Sequence, residues 1–83
     1  MTKILVIEDE RYLLEDIVEM LQYTNYDVFG AHNGAQGLKF ALEQQPDLIV
    51  CDIMMPELNG YDVLERVRAH PDTASVPFVF LTA

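Results

Sequence analysis

Polar and apolar residues fall along this chain in blocks, and the spacing within the blocks switches repeatedly between two periods. Lys3–Ile7 (KILVI), Leu48–Cys51 (LIVC) and Phe78–Leu81 (FVFL) are short unbroken apolar runs between turn residues. Such runs predict strands buried on both faces of a parallel sheet. Tyr26–Ala31 (YDVFGA) is less apolar and predicts a strand at the sheet edge. Between the runs the spacing is helical. From Arg11, residues Leu14, Ile17, Val18 and Leu21 form one stripe, widened by Tyr12, Leu13 and Met20, with Glu15, Asp16 and Glu19 on the wet side. A stripe that wide predicts contact with more than the sheet beneath it, and Asn25 breaks the segment. Asn33 is a good N-cap for a helix over Ala35–Gln45 with Leu38, Ala41 and Leu42 inward. Gly37 weakens that helix by about 0.5–1 kcal/mol relative to Ala. Asn59 caps a third helix with Val63, Leu64 and Val67 inward, and Pro71 ends it.

The order β-α-β-α-β-α-β, with connections short enough for right-handed crossovers, predicts an α/β fold with an open parallel sheet. In such a sheet all strand carboxyl ends lie on one rim, where α/β folds bind ligands. Three strands end there on polar residues: Glu8-Asp9 (followed by Glu10), Asp52 and Thr82. Asp52 alone would read as a turn cap; in this company it reads as chemistry. Two carboxylates about 4 Å apart repel by about 4 kcal/mol at an effective dielectric of 20. A cluster of them raises its own pKa values, disperses, or takes a cation. Mg²⁺ suits the set, because it binds one or two carboxylates, keeps several waters and leaves room for phosphate oxygens. His32 and His70 are isolated and read as loop or helix-end residues, so no zinc set is present.

Composition narrows the rest. Eighty-three residues allow one domain, and a small one for this class. Fourteen acids against five bases give a net charge of −9, and the bases (Lys3, Arg11, Lys39, Arg66, Arg68) are scattered. That pattern argues against a nucleic-acid surface. The single cysteine, Cys51, sits in an apolar run and predicts a buried, inert thiol in a reducing compartment. No apolar run approaches the roughly 20 residues of a membrane helix, and Met1-Thr2-Lys3 leads straight into a strand. The expectation is a soluble, cytoplasmic protein with no membrane contact.

The strand-end acids and the loop after them resemble the receiver domain of two-component response regulators. The matching residues are Glu8-Asp9, Asp52, Met55-Pro56, Asn59-Gly60 and the Thr82-Ala83 strand end, and the resemblance runs from Lys3 to Ala83. It implies a flavodoxin-like sheet of order 2-1-3-4-5, an order for which a chemotaxis receiver is itself a standard example. It also implies that Asp52 is the phosphoacceptor, attacking a phosphohistidine on a histidine kinase or phosphotransfer partner. Mg²⁺ would be held by Asp9, Asp52, the Met54 backbone carbonyl and Glu8. Thr82 would bond a phosphoryl oxygen as the switch hydroxyl, against the plainer reading of a hydroxyl capping its own strand. The side chains of Met54 and Met55 read as packing. Gly60 reads either as relief for a tight turn in the active loop or as the first turn of the helix after Asn59. The family pattern adds a lysine and an aromatic residue on a fifth strand, and Lys3 and Lys39 stand at the wrong places for that lysine. Residues 1–83 are therefore expected to form a receiver that lacks the last strand and its flanking helices. Its exposed Phe78–Leu81 edge is expected to support a homodimer.

The expected function is a phosphorylatable, Mg²⁺-binding signalling domain, not a turnover enzyme. Two other classes compete. A Mg²⁺-dependent phosphohydrolase of the haloacid dehalogenase type would carry a second acid two residues after the nucleophile, where this chain has Met54. An interaction domain that keeps the fold without being phosphorylated is the third.

Overall fold

A computed structural model of the chain describes residues 1–81. The elements are β1 (Lys3–Ile7), α1 (Arg11–Gln22), β2 (Asp27–Ala31), α2 (Gly34–Gln44), β3 (Leu48–Asp52), α3 (Gly60–Ala69) and β4 (Phe78–Leu81). The strands form one parallel sheet in the order β2-β1-β3-β4. The expected open parallel, flavodoxin-like arrangement is therefore present, with β2 and β4 at the edges among the described residues. The central strand β1 is the most buried, with Ile4, Leu5, Val6 and Ile7 each at most 2% exposed.

Register assigns the helices to faces. Val6 lies beside Gly30 and Ile7 beside Ala31, so the two pairs point to opposite sides of the sheet. Leu14 and Val18 of α1 pack over Gly30, which places α1 on one face. Gly37 of α2 packs on Ile7, which places α2 on the other, with α3 beside it. The main core lies on this second face: Leu5, Ile7, Ala31, Ile49 and Cys51 from the strands meet Ala41, Val63 and Val67 from the helices.

Several sequence expectations need correction. Strand β2 starts at Asp27, whose N–H bonds Thr2, while the Tyr26 side chain is exposed. Helix α2 is Gly34–Gln44, and Gln45 is its left-handed C-cap at φ 46°. Leu42 is not inward: it is 41% exposed, and the buried positions of α2 are Gly34, Gly37 and Ala41. The reason is the close approach at Gly37, where a β-carbon would collide with Ile7 Cδ1 and come within 2.8 Å of its Cγ1. The residue that weakens the helix locally is what lets the helix reach the sheet. Helix α1 has no fully buried residue, and Leu13 (44%) and Met20 (61%) remain exposed. Among the described residues nothing covers that side of its stripe.

The third helix ends as expected. His70 turns extended (φ −95°, ψ 129°) in front of Pro71, the conformation that a following proline favours.

Candidate functional site

The carboxyl ends of β1 and β3 bring Glu8, Asp9 and Asp52 together. One carboxylate oxygen from each lies within 4.8 Å of the others, and among the described residues this is the metal-competent cluster. The three acids sit in different surroundings. Glu8 is 3% exposed, Asp52 half-buried and Asp9 exposed. Glu8 Oε2 accepts the Glu10 N–H at 2.8 Å, which fixes the buried carboxylate. Burial pushes the Glu8 carboxyl above its ordinary range. The Glu10 N–H opposes that rise, while the Asp9 hydrogen bond and the charges of Asp52 and Asp9 add to it. The cluster thus has the charge imbalance that a cation would relieve.

Glu10 departs from its neighbours. Its side chain accepts from the N–H groups of Tyr12 (3.2 Å) and Leu13 (2.7 Å), making it the N-cap of α1. The sequence shows three consecutive acids, and the fold gives them three jobs: a buried carboxylate, an exposed one and a cap.

The loop after Asp52 is pinned at its far end. Gly60 N–H donates to the Ile53 carbonyl at 2.9 Å, and a β-carbon on Gly60 would stand 2.5 Å from the Asp52 carbonyl oxygen. Gly60 has no left-handed φ, so close approach, not turn geometry, demands glycine here. Asn59 and Asp62 complete a capping box: Asp62 N–H donates to Asn59 Oδ1 at 2.9 Å and Asn59 N–H to Asp62 Oδ2 at 3.1 Å. Helix α3 and the acid-bearing strand end are thereby locked together.

A cleft of about 540 Å³ opens over the cluster, walled by Leu13, Ile53, Met54 and Leu81 as well as the acids. The Met54 side chain is 80% exposed, so the packing expected of it is wrong, whereas Met55 is buried at 7% and does pack in the core. Met54 lies two residues beyond the strand end, and the rim leaves its side chain no core to enter. The apolar walls from α1 and β4 were not singled out in the sequence, because nothing local to Leu13 or Leu81 marks them as neighbours of Asp52. The register does: Asp52 lies beside Leu81. Thr82, the expected switch hydroxyl, lies outside the described residues. Cys51, immediately before Asp52, is fully buried, as expected, and its Sγ donates to the Asp52 carbonyl at 3.2 Å. His32 sits in the loop before α2 and His70 at the end of α3; neither belongs to the metal-competent group, although His32 shares a neighbouring cleft with Asp9.

Known proteins share this fold. The family model for the response regulator receiver domain matches residues 4–83. Over all 83 residues the chain is 40% identical to response regulator ArlR of Staphylococcus saprophyticus, covering 36% of that protein. It is 37% identical over the same length to the DNA-binding dual master transcriptional regulator RpaA of Synechocystis, covering 34% of it. The chain therefore spans about a third of the length of the curated relatives it matches. Among solved structures, the N-terminal domain of a response regulator receiver protein from Methanoculleus marisnigri superposes with a TM-score of 0.96 at 34% identity. That match covers 100% of this chain and 68% of the other. The receiver domain of a sensor histidine kinase from Pseudomonas aeruginosa superposes at 0.93 with 33% identity, covering 99% of this chain and 67% of that one. The latter structure has a magnesium ion coordinated in the active site cleft.

Proposed function

The chain belongs to the response regulator receiver domain family, signalling domains of two-component systems, and from that premise we propose that Asp52 is its phosphoacceptor. The observation that carries this reading is the convergence of Glu8, Asp9 and Asp52 within 4.8 Å at the rim of the sheet. The donor set fits a hard divalent cation: three carboxylate groups, no thiolate, no imidazole, and one acid held by burial in an unfavourable charge balance. Asp9, Asp52 and the Met54 carbonyl would hold Mg²⁺ directly, with Glu8 behind them. Bound there, the ion supplies charge neutralisation for the carboxylates and the incoming phosphoryl oxygens.

The remaining work falls to the chain itself. An Asp52 carboxylate oxygen attacks the phosphorus of a phosphohistidine on a histidine kinase or phosphotransfer protein. The P–O bond forms as the P–N bond breaks, and the imidazole leaves with its electron pair. The product on Asp52 is an acyl phosphate. The capping box and the Gly60 contact hold the strand end still during transfer, since phosphoryl transfer depends on positioning and electrostatics more than on covalent help. Thr82 is the hydroxyl proposed to follow the phosphoryl group and switch a protein-binding surface. The domain accepts one group per signalling cycle and does not turn over a free substrate. The proposed setting is the cytoplasm, where such kinases present phosphohistidine, and among the described residues no helix is long and apolar enough to cross a membrane. A second copy pairing along Phe78–Leu81 belongs to the same reading. Among the described residues that strand lies at an edge, carries no charge and leaves Val79 half exposed. Sedimentation at micromolar concentration tests the pairing, and a plain monomer overturns it.

The test of the acceptor is incubation with acetyl phosphate and Mg²⁺ followed by intact mass. One added phosphoryl group on the wild type, none on Asp52→Asn and none with chelator are the expected results. Labelling of Asp52→Asn equal to wild type would remove Asp52 from the role.

A further inference from the structure

A second concavity lies between α2 and α3. It is a groove of about 200 Å³ walled by Leu38, Ala41, Leu42 and Val67, with Arg66 and His70 at its mouth. It shares no residue with the strand-end cleft. Helix α3 begins at Gly60 against Asp52 and brings Arg66 and Val67 to the groove, a distance of about 10 Å along its axis.

The groove is apolar in its depth and cationic at its rim. Thr73, fully buried in the floor, spends its hydroxyl on the Val67 carbonyl at 2.7 Å and offers nothing to a ligand. Leu42 meets water because α2 seats its small residues on the sheet instead. No acid lines the groove, although the chain carries a net charge of −9. Among the described residues the only ion pair is Arg11–Glu15, so the Arg66 guanidinium is free. Arg68, by contrast, is bound to the carbonyls of Ala74 and Val76. His70 Nδ1 accepts from the Asp72 N–H at 3.2 Å, which leaves Nε2 as its donor.

Size decides the ligand class. Cofactor and small-molecule sites occupy roughly 300–1,000 Å³, so this groove suits one bulky side chain, with its neighbours lying on the rim. We propose that the α2–α3 groove docks a partner protein's peptide segment in which a bulky apolar residue is flanked by acidic residues. The apolar side chain enters between Leu38, Leu42 and Val67, and the carboxylates meet Arg66 and His70. Charge complementarity selects the segment: a chain of net charge −9 repels an acidic peptide in general, whereas this groove is lined by Arg66 and by no acid.

The probe is the synthetic peptide acetyl-Glu-Glu-Leu-Phe-Glu-Glu-amide, titrated into the methyl-labelled chain and followed by NMR. Saturable shifts on the Leu38, Leu42 and Val67 methyls are expected, with no response to the same peptide carrying Lys for Glu. Arg66→Glu and Leu42→Asp, both at exposed positions, should each weaken binding at least tenfold while methyl signals of the β1 residues stay in place. Arg66→Gln serves if the charge reversal disturbs the fold, and should weaken binding several-fold. Absence of saturable shifts, an equal response to the lysine peptide, or shifts centred on α1 would overturn the proposal. So would the same methyls moving with protein concentration alone, which would give the groove to a second copy of this chain.

Discussion

Gly60 and Asp52 are in backbone contact across the loop that joins β3 to α3. A β-carbon on Gly60 would stand 2.5 Å from the Asp52 carbonyl oxygen and 2.9 Å from Ile53 Cα. Both obstacles are backbone, so neither can swing aside as a side chain would. Gly60→Ala must therefore move the loop or the start of α3, and overpacking of this kind costs about 1–3 kcal/mol. A loss of stability in that range is expected in urea unfolding, together with slower phosphorylation by acetyl phosphate. Unchanged stability would show that the contact is looser than described.

Gly37 presents the contrasting case. Alanine there gains up to about 1 kcal/mol of helix propensity, but its methyl group collides with the side chain of Ile7, which is 0% exposed. A buried side chain has nowhere to go, so Gly37→Ala should destabilise by about 1–2 kcal/mol net. Ile7→Val removes the Cδ1 atom that meets the new methyl group. In that background Gly37→Ala should cost measurably less, and a double-mutant cycle reads the difference. Strict additivity of the two substitutions would refute the contact.

These two glycines mark where the sequence stops being readable. The strands were legible because a buried parallel strand is a continuous apolar run, and Lys3–Ile7 and Leu48–Cys51 have no other plausible reading. The three acids were legible because parallel strands share a rim. Leu42 and Met54 were misread for one reason: both readings placed large apolar residues inside. The interior under α2 is instead filled by Ile7 reaching toward Gly37 and Ala41, and small residues carry no hydrophobic signal. Glu10 was invisible as a cap because one acid in a run of three looks like the others until the Tyr12 and Leu13 amides are located beside it. The family resemblance supplied roles for Asp52, Glu8 and Asp9 that periodicity alone could not assign.

The cluster makes a prediction about charge. Asp9→Asn and Asp52→Asn should each weaken Mg²⁺ or Mn²⁺ binding by tenfold or more in calorimetry, and Glu8→Gln by less. The buried Glu8 carboxyl is raised above its ordinary value by burial first, with the neighbouring acids adding to the effect. A carboxyl raised in the fold contributes stability below its ordinary pKa and loses it as pH rises through the raised one. Metal-free Glu8→Gln should therefore match or exceed wild-type stability at neutral pH, because the neutral amide still accepts the Glu10 N–H. Its stability should also vary less between acid and neutral pH. Metal affinity of the wild type should fall as pH drops through the raised Glu8 pKa, since the proton competes with the ion. A Glu8→Gln variant less stable than wild type at neutral pH without metal would contradict this account of the buried charge.

Cys51 offers the last test, and it needs no metal. Its thiol is pushed up to about 12 from an ordinary 9.0, by burial first and then by the charges of Asp52 and Glu8. At pH 8 the folded chain should resist alkylation by iodoacetamide, while the same thiol in urea should react readily, because the thiolate is the nucleophile. The sign for stability follows from linkage. The folded pKa lies above the unfolded one, so the contribution of the neutral thiol is complete below pH 9 and is lost as pH rises toward 12. Self-repulsion in a chain of net charge −9 also grows in that range, but it acts equally on Cys51→Ala. The difference between the two isolates the thiol: wild-type stability should decline more steeply than that of Cys51→Ala above pH 9. Parallel decline of both proteins, or rapid alkylation of the folded wild type at pH 8, would mean that water reaches the strand end beneath Asp52.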